Sequence, residues 1–394
     1  MSTDLVSSNR CPICYQEGSQ QLVYISDVPV MQNLIYEKRR ESLECLKGVL
    51  DFKICNACDY AWNQQFSPDL VEYNPRYENN QLLSPRFVAH AKKISERVLS
   101  AAPESERLRM VEVGCGQGDF INLLAKFAGD RLEWAFGMDP AVRNEGTNGK
   151  VTLRRDYFNS ESVQKLPGSP NVVLSRHTIE HIPYDGMFLS SIYKAIPKEG
   201  CTLLLETPDL RWIINNSAFE DLFYEHCSIF TPNSIEIFLN KNGFNAVHAE
   251  NVFDGQYLWV KANVADKIDN TTNTLNQRAN NFSISMDQFL EIWAIKLRDI
   301  QENGTGRICI WGAGAKGVTF SRMMLQRGAS IEGVIDINPK KQGHFVAGSG
   351  LKIYSPNDAY RKGFNTAIVM NPAYLEEIRQ MCFHQHLDIA LICV

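Results

Sequence analysis

Met110-Val-Glu-Val-Gly-Cys-Gly-Gln-Gly118 is the segment that decides the fold of this chain. It joins a short apolar run to an acid and three glycines, and an apolar helix follows, marked by Phe120, Ile121, Leu123 and Leu124. Glycines at these positions let the backbone adopt left-handed angles and let a ligand approach the main chain. The segment therefore predicts the first strand, turn and helix of a parallel α/β sheet, with ligands bound at the carboxyl end of the strand.

A second acid ends the next apolar stretch, Trp134-Ala-Phe-Gly-Met-Asp139. A carboxylate at the end of the second strand is placed to hold ribose hydroxyls. The spacing acid-x-Gly-x-Gly-x-Gly differs from the dinucleotide pattern and resembles motif I of class I S-adenosylmethionine (SAM) methyltransferases. Because SAM has no pyrophosphate, we expect Glu112 to serve its methionine end. We assign to the SAM site Glu112, Gly114, Gly116, Gly118, Asp139, Asp156, Arg176 and His177.

Composition and charge exclude several classes of protein. The chain has 394 residues, a net charge of -5 and a pI near 6.0, without the basic surface that nucleic-acid binding needs. No apolar run reaches membrane-spanning length, and the N-terminus lacks an apolar signal core. We therefore expect a cytoplasmic protein with no nucleic-acid or membrane partner. Separately, we expect a small-molecule substrate and a monomer or dimer. The 11 cysteines are an odd number, which favours reduced thiols over a disulfide framework.

Four cysteines stand apart as two pairs, Cys11-Pro-Ile-Cys14 and Cys55-Asn-Ala-Cys58. Two C-x-x-C knuckles can give four thiolates to one tetrahedral Zn²⁺, which leaves no open position for a substrate. We predict a structural zinc with a β-hairpin layer between the pairs. Cys45 lies between them and is expected to be a buried bystander.

The pattern of elements divides the chain into four parts. Residues 1–78 form the zinc module, 79–265 the SAM domain, 266–304 a linker and helix, and 305–394 a C-terminal Rossmann-like α/β domain. Ser84-Pro85 predicts the start of a helix. Strands of a doubly wound sheet are expected at 110–114, 134–138, 151–154, 171–175, 201–206 and 257–262.

The C-terminal domain carries its own glycine-rich turn, Gly312-Ala-Gly-Ala-Lys-Gly317, followed by an acid, Asp336. By spacing alone this turn is a better dinucleotide fingerprint than the first one, so an NAD-linked sugar oxidoreductase is one hypothesis.

Candidate chemistry lies in the loops after the later strands. Ser175-Arg-His-Thr-Ile-Glu-His181 follows the fourth strand, and Glu206-Thr-Pro208 follows the fifth and is expected to close the pocket floor. In Phe223-Tyr-Glu-His226, the adjacent Glu225 and His226 can supply a base for removing a proton next to a carbonyl. Thr231-Pro232 then predicts the start of a helix.

The order of these motifs resembles the sugar C-methyltransferases, which modify nucleotide-linked 4-keto deoxysugars. The resemblance rests on the two C-x-x-C pairs, motif I, Glu-His-x-Ser-x-Phe-Thr/Ser and a C-terminal group of residues, Gly312, Gly314, Lys316, Gly317, Asp336, Asn338, Pro339, Lys341, Gln342 and Gly343. It implies a zinc module, a central SAM domain and a Rossmann-like C-terminal domain, with the nucleotide sugar between the modules. The family motif Tyr-His-Glu-His is here Phe223-Tyr-Glu-His226, and His-Gly-Gly-Ser-Leu-Arg is Phe253-Asp-Gly-Gln-Tyr-Leu258.

The sequence therefore predicts a SAM-dependent methyltransferase (EC 2.1.1.-) that methylates a carbon next to a keto group, with His226 and Glu225 as catalytic residues. The alternative is O- or N-methylation of a sugar in surface-glycan or natural-product biosynthesis. We expect the substrate to contact His181, Glu180, Glu206, Tyr224, Gln256, Lys316 and Asp336.

Overall fold

The computed structural model describes residues 10–74, 76–159, 161–184, 186–197, 199–265, 282–303 and 307–394. These residues build three sheets with helices packed around them. The predicted linker at 266–281 and the predicted helix end at Gly304 lie outside the described residues.

The N-terminal sheet has four antiparallel strands in the order β1-β2-β3-β10. They are β1 (Ser19–Pro29), β2 (Lys47–Cys55), β3 (Ala61–Asn63) and β10 (Ser228–Ile229), and helix α1 (Arg39–Leu43) lies between β1 and β2. The β1–β2 hairpin between the cysteine pairs confirms the predicted layer, and Cys45 is buried as expected. β10 arrives from much later in the chain, and this two-residue strand brings the Glu225-His226 loop against the N-terminal module.

The central sheet has eight strands in the order β11-β12-β9-β8-β4-β5-β7-β6. They are β4 (Leu108–Val113), β5 (Leu132–Met138), β6 (Gly146–Asn148), β7 (Val151–Arg154), β8 (Val172–Arg176), β9 (Thr202–Pro208), β11 (Phe244–Val252) and β12 (Tyr257–Val264). All six predicted strands are present. The missed strands β6 and β11 are the two edges of the sheet, and most of their side chains are exposed, which obscures the apolar pattern of a strand.

The helices of the central domain are α2 (Pro85–Ala101), α3 (Asp119–Ala128), α4 (Met187–Ala195), α5 (Leu210–Asn215) and α6 (Pro232–Lys241). The Ser84 hydroxyl accepts a hydrogen bond from the Phe87 amide and so caps α2. The Thr231 hydroxyl accepts one from the Ser234 amide and caps α6. Both predicted helix starts are confirmed. Strand order reverses between β4 and β8, and this switch point is where open α/β sheets bind ligands.

The C-terminal sheet is parallel throughout, in the order β15-β14-β13-β16-β17. Its strands are β13 (Arg307–Trp311), β14 (Gly333–Ile335), β15 (Ile353–Tyr354), β16 (Phe364–Val369) and β17 (Ala390–Cys393), and its helices are α7 (Phe282–Asn303), α8 (Ala315–Gln326), α9 (Pro356–Arg361) and α10 (Leu375–His384). The helix predicted within 266–304 is present as α7. Its apolar residues at helical spacing, Phe289, Trp293, Leu297 and Ile300, pack in or against the core, whereas Ile292 of the same spacing is 62% exposed.

The carboxyl ends of the central and C-terminal strands face each other. His177 and Pro208 from one sheet and Gly312 and Asn371 from the other line a common cavity. Glu78 bridges the same region: it binds Arg143 of the central domain at 2.8 Å and Asn338 of the C-terminal domain at 3.0 Å. Within the described part of the chain, none of the helices is both long enough and apolar enough to span a bilayer.

Candidate functional site

The turn after β4 keeps its backbone open to a ligand. Gly114, Gly116 and Gly118 have φ angles of 77°, 56° and 80°, in the left-handed region. A Cβ at Gly114 would lie 2.1 Å from the Thr178 hydroxyl, so a side chain is excluded there. At Gly116 the nearest neighbour of a Cβ would be an Asn79 oxygen at 4.0 Å, so the main chain faces open space.

A cavity of about 250 Å³ lies beside this turn. Seven of the eight predicted cofactor residues line it, namely Glu112, Gly114, Gly116, Asp139, Asp156, Arg176 and His177. Gly118 has a packing role instead, because a Cβ there would lie 2.6 Å from the Leu153 side chain. The structure thus gathers residues from the ends of four strands, β4, β5, β7 and β8, around one space.

Asp139 closes one side of this cavity. Its two carboxylate oxygens accept hydrogen bonds from the Gly116 amide at 2.9 Å and the Ala141 amide at 2.7 Å. Burial raises the pKa of Asp139, and the two backbone donors act to lower it. The carboxylate is therefore held next to the glycine turn with lone pairs left for ribose hydroxyls.

Glu112 and Arg176 carry unpaired polar atoms at the other side. Oε2 of Glu112 and Nη2 of Arg176 are buried and have no hydrogen-bond partner. Burial raises the pKa of Glu112 to about 8, and the Arg176 charge opposes that rise. An amino-acid group, with one ammonium and one carboxylate, would supply a donor to Glu112 and an acceptor to Arg176. The residues present therefore fit the methionine end of SAM.

Glu206 holds Arg176 from behind. It is fully buried and accepts hydrogen bonds from His90 Nε2 at 2.5 Å and Arg176 Nε at 2.6 Å. Burial alone would raise the pKa of Glu206, but the Arg176 charge and the His90 hydrogen bond hold it below its ordinary value. Glu206 lines neither of the two cavities. It therefore orients the Arg176 side chain rather than contacting a molecule bound there.

Replacing Asp139 tests the ribose assignment. We expect Asp139→Ala to weaken SAM binding by about 1–3 kcal/mol, the usual effect of leaving a buried partner unpaired. Calorimetric titration with SAM measures the change, and Asp130→Ala, at an exposed acid, is the matched control. Unchanged SAM affinity in Asp139→Ala, with the control also unchanged, would mean that the ribose lies elsewhere.

A second cavity, of about 310 Å³, adjoins the first and runs to the C-terminal domain. Tyr77, His177 and His181 line both, so a molecule in one space can reach a molecule in the other. His226 and Glu180 lie in the wall of the second cavity. This is the meeting point that a transfer between two bound molecules requires.

His226 lines this cavity, and one of its ring nitrogens is held by the backbone. Its Nδ1 lies 3.0 Å from the Asp221 carbonyl oxygen, which can only accept a hydrogen bond. Nδ1 therefore carries the proton and Nε2 carries the lone pair. Burial lowers the pKa of His226 well below its ordinary value, and the neighbouring His181 lowers it further, so the ring is neutral at pH 7.

Glu225 lies behind this wall rather than in it. One of its oxygens accepts a hydrogen bond from the Gln32 amide at 2.7 Å, and the other has no partner of normal geometry. Burial raises the pKa of Glu225 to about 7, while the Gln32 amide and the nearby Tyr77 hydroxyl act to lower it. Its carboxylate therefore lies next to the Tyr77 hydroxyl.

The other predicted substrate residues divide into two groups. Gln256, Lys316 and Asp336 line the second cavity together with Glu180 and His181. Tyr224 is fully buried in the N-terminal module, where its hydroxyl accepts a hydrogen bond from the Ser67 amide at 2.9 Å. The structure does not bring Tyr224 to the cavity.

Lys316 and Asp336 frame the C-terminal glycine turn. Lys316 Nζ lies 2.9 Å from an Asp221 oxygen, which joins the two domains across the cavity. Asp336 accepts hydrogen bonds from the Ala313 and Asn338 amides, both at 2.8 Å, as Asp139 does in the central domain. A Cβ at Gly317 would lie 1.9 Å from the Gly312 carbonyl oxygen, so this glycine permits close packing of α8 on β13.

Sequence reasoning missed Tyr77 and Asn371. Tyr77 lines both cavities, and Asn371 binds Gln256 at 3.0 Å in the second one. Tyr77 lies in an Asn- and Tyr-rich stretch without periodicity, so no local pattern singles it out. Asn371 follows β16 at the switch point of the C-terminal sheet, and this position alone could have marked it as a candidate binding residue.

The four paired cysteines form one buried cluster. One sulfur from each of Cys11, Cys14, Cys55 and Cys58 lies within 4.8 Å of the others, and two Sγ–Sγ distances are 3.6 Å. Four thiolates around a Zn²⁺ at a Zn–S distance of about 2.3 Å would be roughly 3.8 Å apart. The donor set and spacing therefore fit a closed zinc site. None of the 11 cysteines is in a disulfide.

Two family models match this chain. One, described as a methyltransferase domain, matches residues 86–249, and the other, described as a C-methyltransferase C-terminal domain, matches residues 260–387. The chain therefore carries a methyltransferase domain followed by a C-methyltransferase C-terminal domain, in agreement with the resemblance that its sequence motifs indicate.

Individual relatives are distant. C-methyltransferase NovU of Streptomyces niveus is 23% identical over 258 residues, which span 63% of this chain and 59% of NovU, less than two thirds of its length. Human N-acetylserotonin methyltransferase in complex with SAM is 14% identical, with a TM-score of 0.35, over 45% of this chain and 55% of that one. A putative SAM-dependent methyltransferase from Listeria monocytogenes is 13% identical, with a TM-score of 0.34, over 45% of this chain and 99% of that one.

Proposed function

We propose that this chain is a SAM-dependent C-methyltransferase that acts on a nucleotide-linked keto deoxysugar, next to the keto group. The observation that carries the proposal is the position of His226. His226 lines a cavity that adjoins the predicted SAM cavity and extends to a second Rossmann-like sheet, and the contact of its Nδ1 with the Asp221 carbonyl leaves the lone pair on Nε2. A base at such a junction suits the removal of a proton from a substrate carbon beside the methyl donor.

In this mechanism the Nε2 of His226 takes the proton next to the ketone. The Asp221 carbonyl holds the ring in the required tautomer by accepting from Nδ1–H. Because burial lowers the pKa of His226, the ring is a weak base, and the reaction depends on the acidity that the ketone gives to the neighbouring carbon. Tyr77 lines both cavities, and Glu225 lies beside its hydroxyl. With Glu225 protonated and donating to the Tyr77 oxygen, the Tyr77 O–H is left to donate to the developing oxygen anion.

When bound, SAM supplies the sulfonium methyl group that the deprotonated carbon accepts. The residues of the chain position the two reactants. The glycine turn, Asp139 and the Glu112–Arg176 pair hold the cofactor in the first cavity. Gln256 and Asn371 line the second cavity, where the substrate would bind. Holding two reactants at near-attack distance can contribute a large part of a rate enhancement.

The nucleotide part of the substrate has a candidate site at the C-terminal glycine turn. The turn, Lys316 and Asp336 lie along the far end of the second cavity. Lys316 can pair with a diphosphate, and the N-terminus of α8 adds free backbone amides. This end would anchor the sugar while its keto carbon lies at His226.

Two alternatives remain open to experiment. Phe223 stands where the related enzymes carry tyrosine, and its ring lies 3.7 Å from that of His226, so the hydroxyl of that tyrosine is missing. Without it, O- or N-methylation, with His226 deprotonating a hydroxyl or amine, is the second candidate.

An NAD-linked oxidoreductase would use the C-terminal turn, and calorimetry with SAM and NAD separates it from both methyltransferases.

A mass-spectrometric screen tests the proposal. Purified protein is incubated with SAM and a panel of nucleotide-linked sugars that includes 4-keto deoxysugars and their 4-hydroxy and 4-amino counterparts. We expect one added methyl group only on keto sugars. Methylation confined to the hydroxy or amino sugars would select the second candidate.

We further propose that the cysteine cluster holds one structural Zn²⁺. Its donors are all buried and form a closed shell, so the metal would support the fold of the N-terminal module rather than turnover. We expect one zinc per chain by elemental analysis of protein purified without chelator, and a lower melting temperature in Cys58→Ser. Protein free of zinc but folded and stable would contradict this assignment.

A further inference from the structure

A second group of metal-ligand side chains lies in the wall of the substrate cavity. Glu180, His181 and His226 each offer one ligand atom, and these atoms lie within 4.8 Å of one another. Glu180 and His181 belong to the short turn after β8, and His226 comes from the loop before β10. Among the described residues, this group and the cysteine cluster are the two sets with such spacing.

Both histidines are fixed in the tautomer that leaves Nε2 free. Nδ1 of His181 lies 3.0 Å from the Glu225 carbonyl oxygen and 2.9 Å from the Tyr73 hydroxyl, which can accept a hydrogen bond as well. Nδ1 of His226 lies 3.0 Å from the Asp221 carbonyl oxygen. Since a carbonyl oxygen only accepts, each Nδ1 carries its proton and each Nε2 has a lone pair. A backbone carbonyl that holds the second ring nitrogen is also the usual support of a metal-binding imidazole.

Glu180 completes the group with an unpaired oxygen. Its Oε2 accepts a hydrogen bond from the Thr207 hydroxyl at 2.9 Å, while Oε1 is buried and has no hydrogen-bond partner. Only 1% of the residue is exposed. A buried acceptor without a partner is costly, and a cation at Oε1 would remove that cost.

We propose that Glu180, His181 and His226 form a second metal site, which takes a divalent transition metal of the Zn²⁺ type and competes with the substrate. Two imidazoles and one carboxylate are a ligand set that Zn²⁺ accepts, with further positions left for water. Ligand atoms around Zn²⁺ lie roughly 3.4 Å apart at Zn–N distances of about 2.0–2.1 Å, which is inside the 4.8 Å that bounds the separations in this group.

The functional consequence of this site rests on the proposed function. A metal on Nε2 of His226 occupies the lone pair that would take the substrate proton. The metal also fills the part of the cavity where the keto carbon would lie. Occupancy should therefore inhibit methyl transfer, and substrate should displace the metal.

Cobalt titration tests the metal site. Co²⁺ is added to wild-type protein whose cysteine site is already filled with zinc, and binding is followed by calorimetry and visible absorption. We expect one additional equivalent, with the weak bands of nitrogen and oxygen ligands and without the intense near-ultraviolet bands of cobalt–thiolate bonds. Absence of a second equivalent up to millimolar Co²⁺, or thiolate bands in its spectrum, would overturn the site.

Variants locate the metal. Glu180→Gln removes the anionic ligand and should weaken Co²⁺ binding at least tenfold, as should His226→Gln. Glu220→Gln is the matched control, because Glu220 is an equally buried acid near Lys316 outside the group. The zinc content and melting temperature of each variant show whether it has folded, and equal Co²⁺ affinity in folded Glu180→Gln and in wild type would overturn the assignment.

The effect on turnover separates this inference from the proposed function. Inhibition of methyl transfer with the same midpoint as Co²⁺ binding, relieved by excess substrate, would support both. Tight Co²⁺ binding with unchanged methyl transfer would overturn the competition and would also exclude His226 as the base. Failure of Co²⁺ to bind would overturn the metal site and leave the proposed function intact.

Discussion

His226→Gln is expected to reduce methyl transfer by about 10²–10⁴-fold, the usual contribution of a positioned general base. Glutamine fills most of the space of the ring but offers no lone pair of comparable basicity. The Asp221 carbonyl would lose the donor that it now holds at 3.0 Å. SAM affinity should change little, because His226 lines the second cavity and not the cofactor cavity.

Rate and binding are measured separately, by mass spectrometry of the product and by calorimetry with SAM. Glu225→Gln should reduce the rate of methyl transfer less than His226→Gln does, because the Glu225 carboxylate lies beside Tyr77. His248→Gln, at an exposed histidine, is the matched control and should keep the wild-type rate. A wild-type rate in His226→Gln would transfer the role of base to another group, with His181 the next candidate.

Gly114→Val should abolish SAM binding. The valine Cβ would lie 2.1 Å from the Thr178 hydroxyl, and a β-branched residue is strongly disfavoured at a φ of 77°. The glycine turn would have to move away from Asp139, which now holds it through the Gly116 amide. Calorimetry with SAM should give no measurable heat.

The control for this variant is Gly149→Val. Gly149 also has a positive φ, of 59°, but a Cβ there would meet no atom within 4 Å. We therefore expect Gly149→Val to bind SAM with wild-type affinity. Zinc content and circular dichroism check that Gly114→Val is folded, and a folded Gly114→Val with wild-type SAM affinity would place the cofactor elsewhere.

The grouping of the assigned SAM residues around one cavity could be predicted from sequence because its signals are local. Three glycines, an acid before them and an acid at the end of the next strand are set by chain spacing alone, and seven of the eight assigned residues line one cavity. The helix starts at Ser84 and Thr231 were predictable for the same reason, since a cap and a following proline act within one turn.

The residues around the second cavity were harder to predict from sequence, because their positions depend on contacts between segments that are distant in the chain. β10 draws the Glu225-His226 loop against the N-terminal sheet, and this pairing points Tyr224 into that module. The wall of the cavity is completed by Tyr77, which no motif marks. Glu206 was expected at the cavity floor because it follows a strand, but partners far away in sequence, His90 among them, fix its side chain.

The central claim, methyl transfer to a carbon next to a ketone, is tested most directly by isotope exchange. The keto sugar found in the screen is incubated with enzyme and SAM in D₂O, and exchange and product are followed by NMR. We predict enzyme-dependent deuterium uptake at the carbon beside the ketone and a new methyl group bonded to that same carbon, both greatly slowed in His226→Gln. A methyl group on oxygen or nitrogen, formed without exchange at that carbon, would contradict the account.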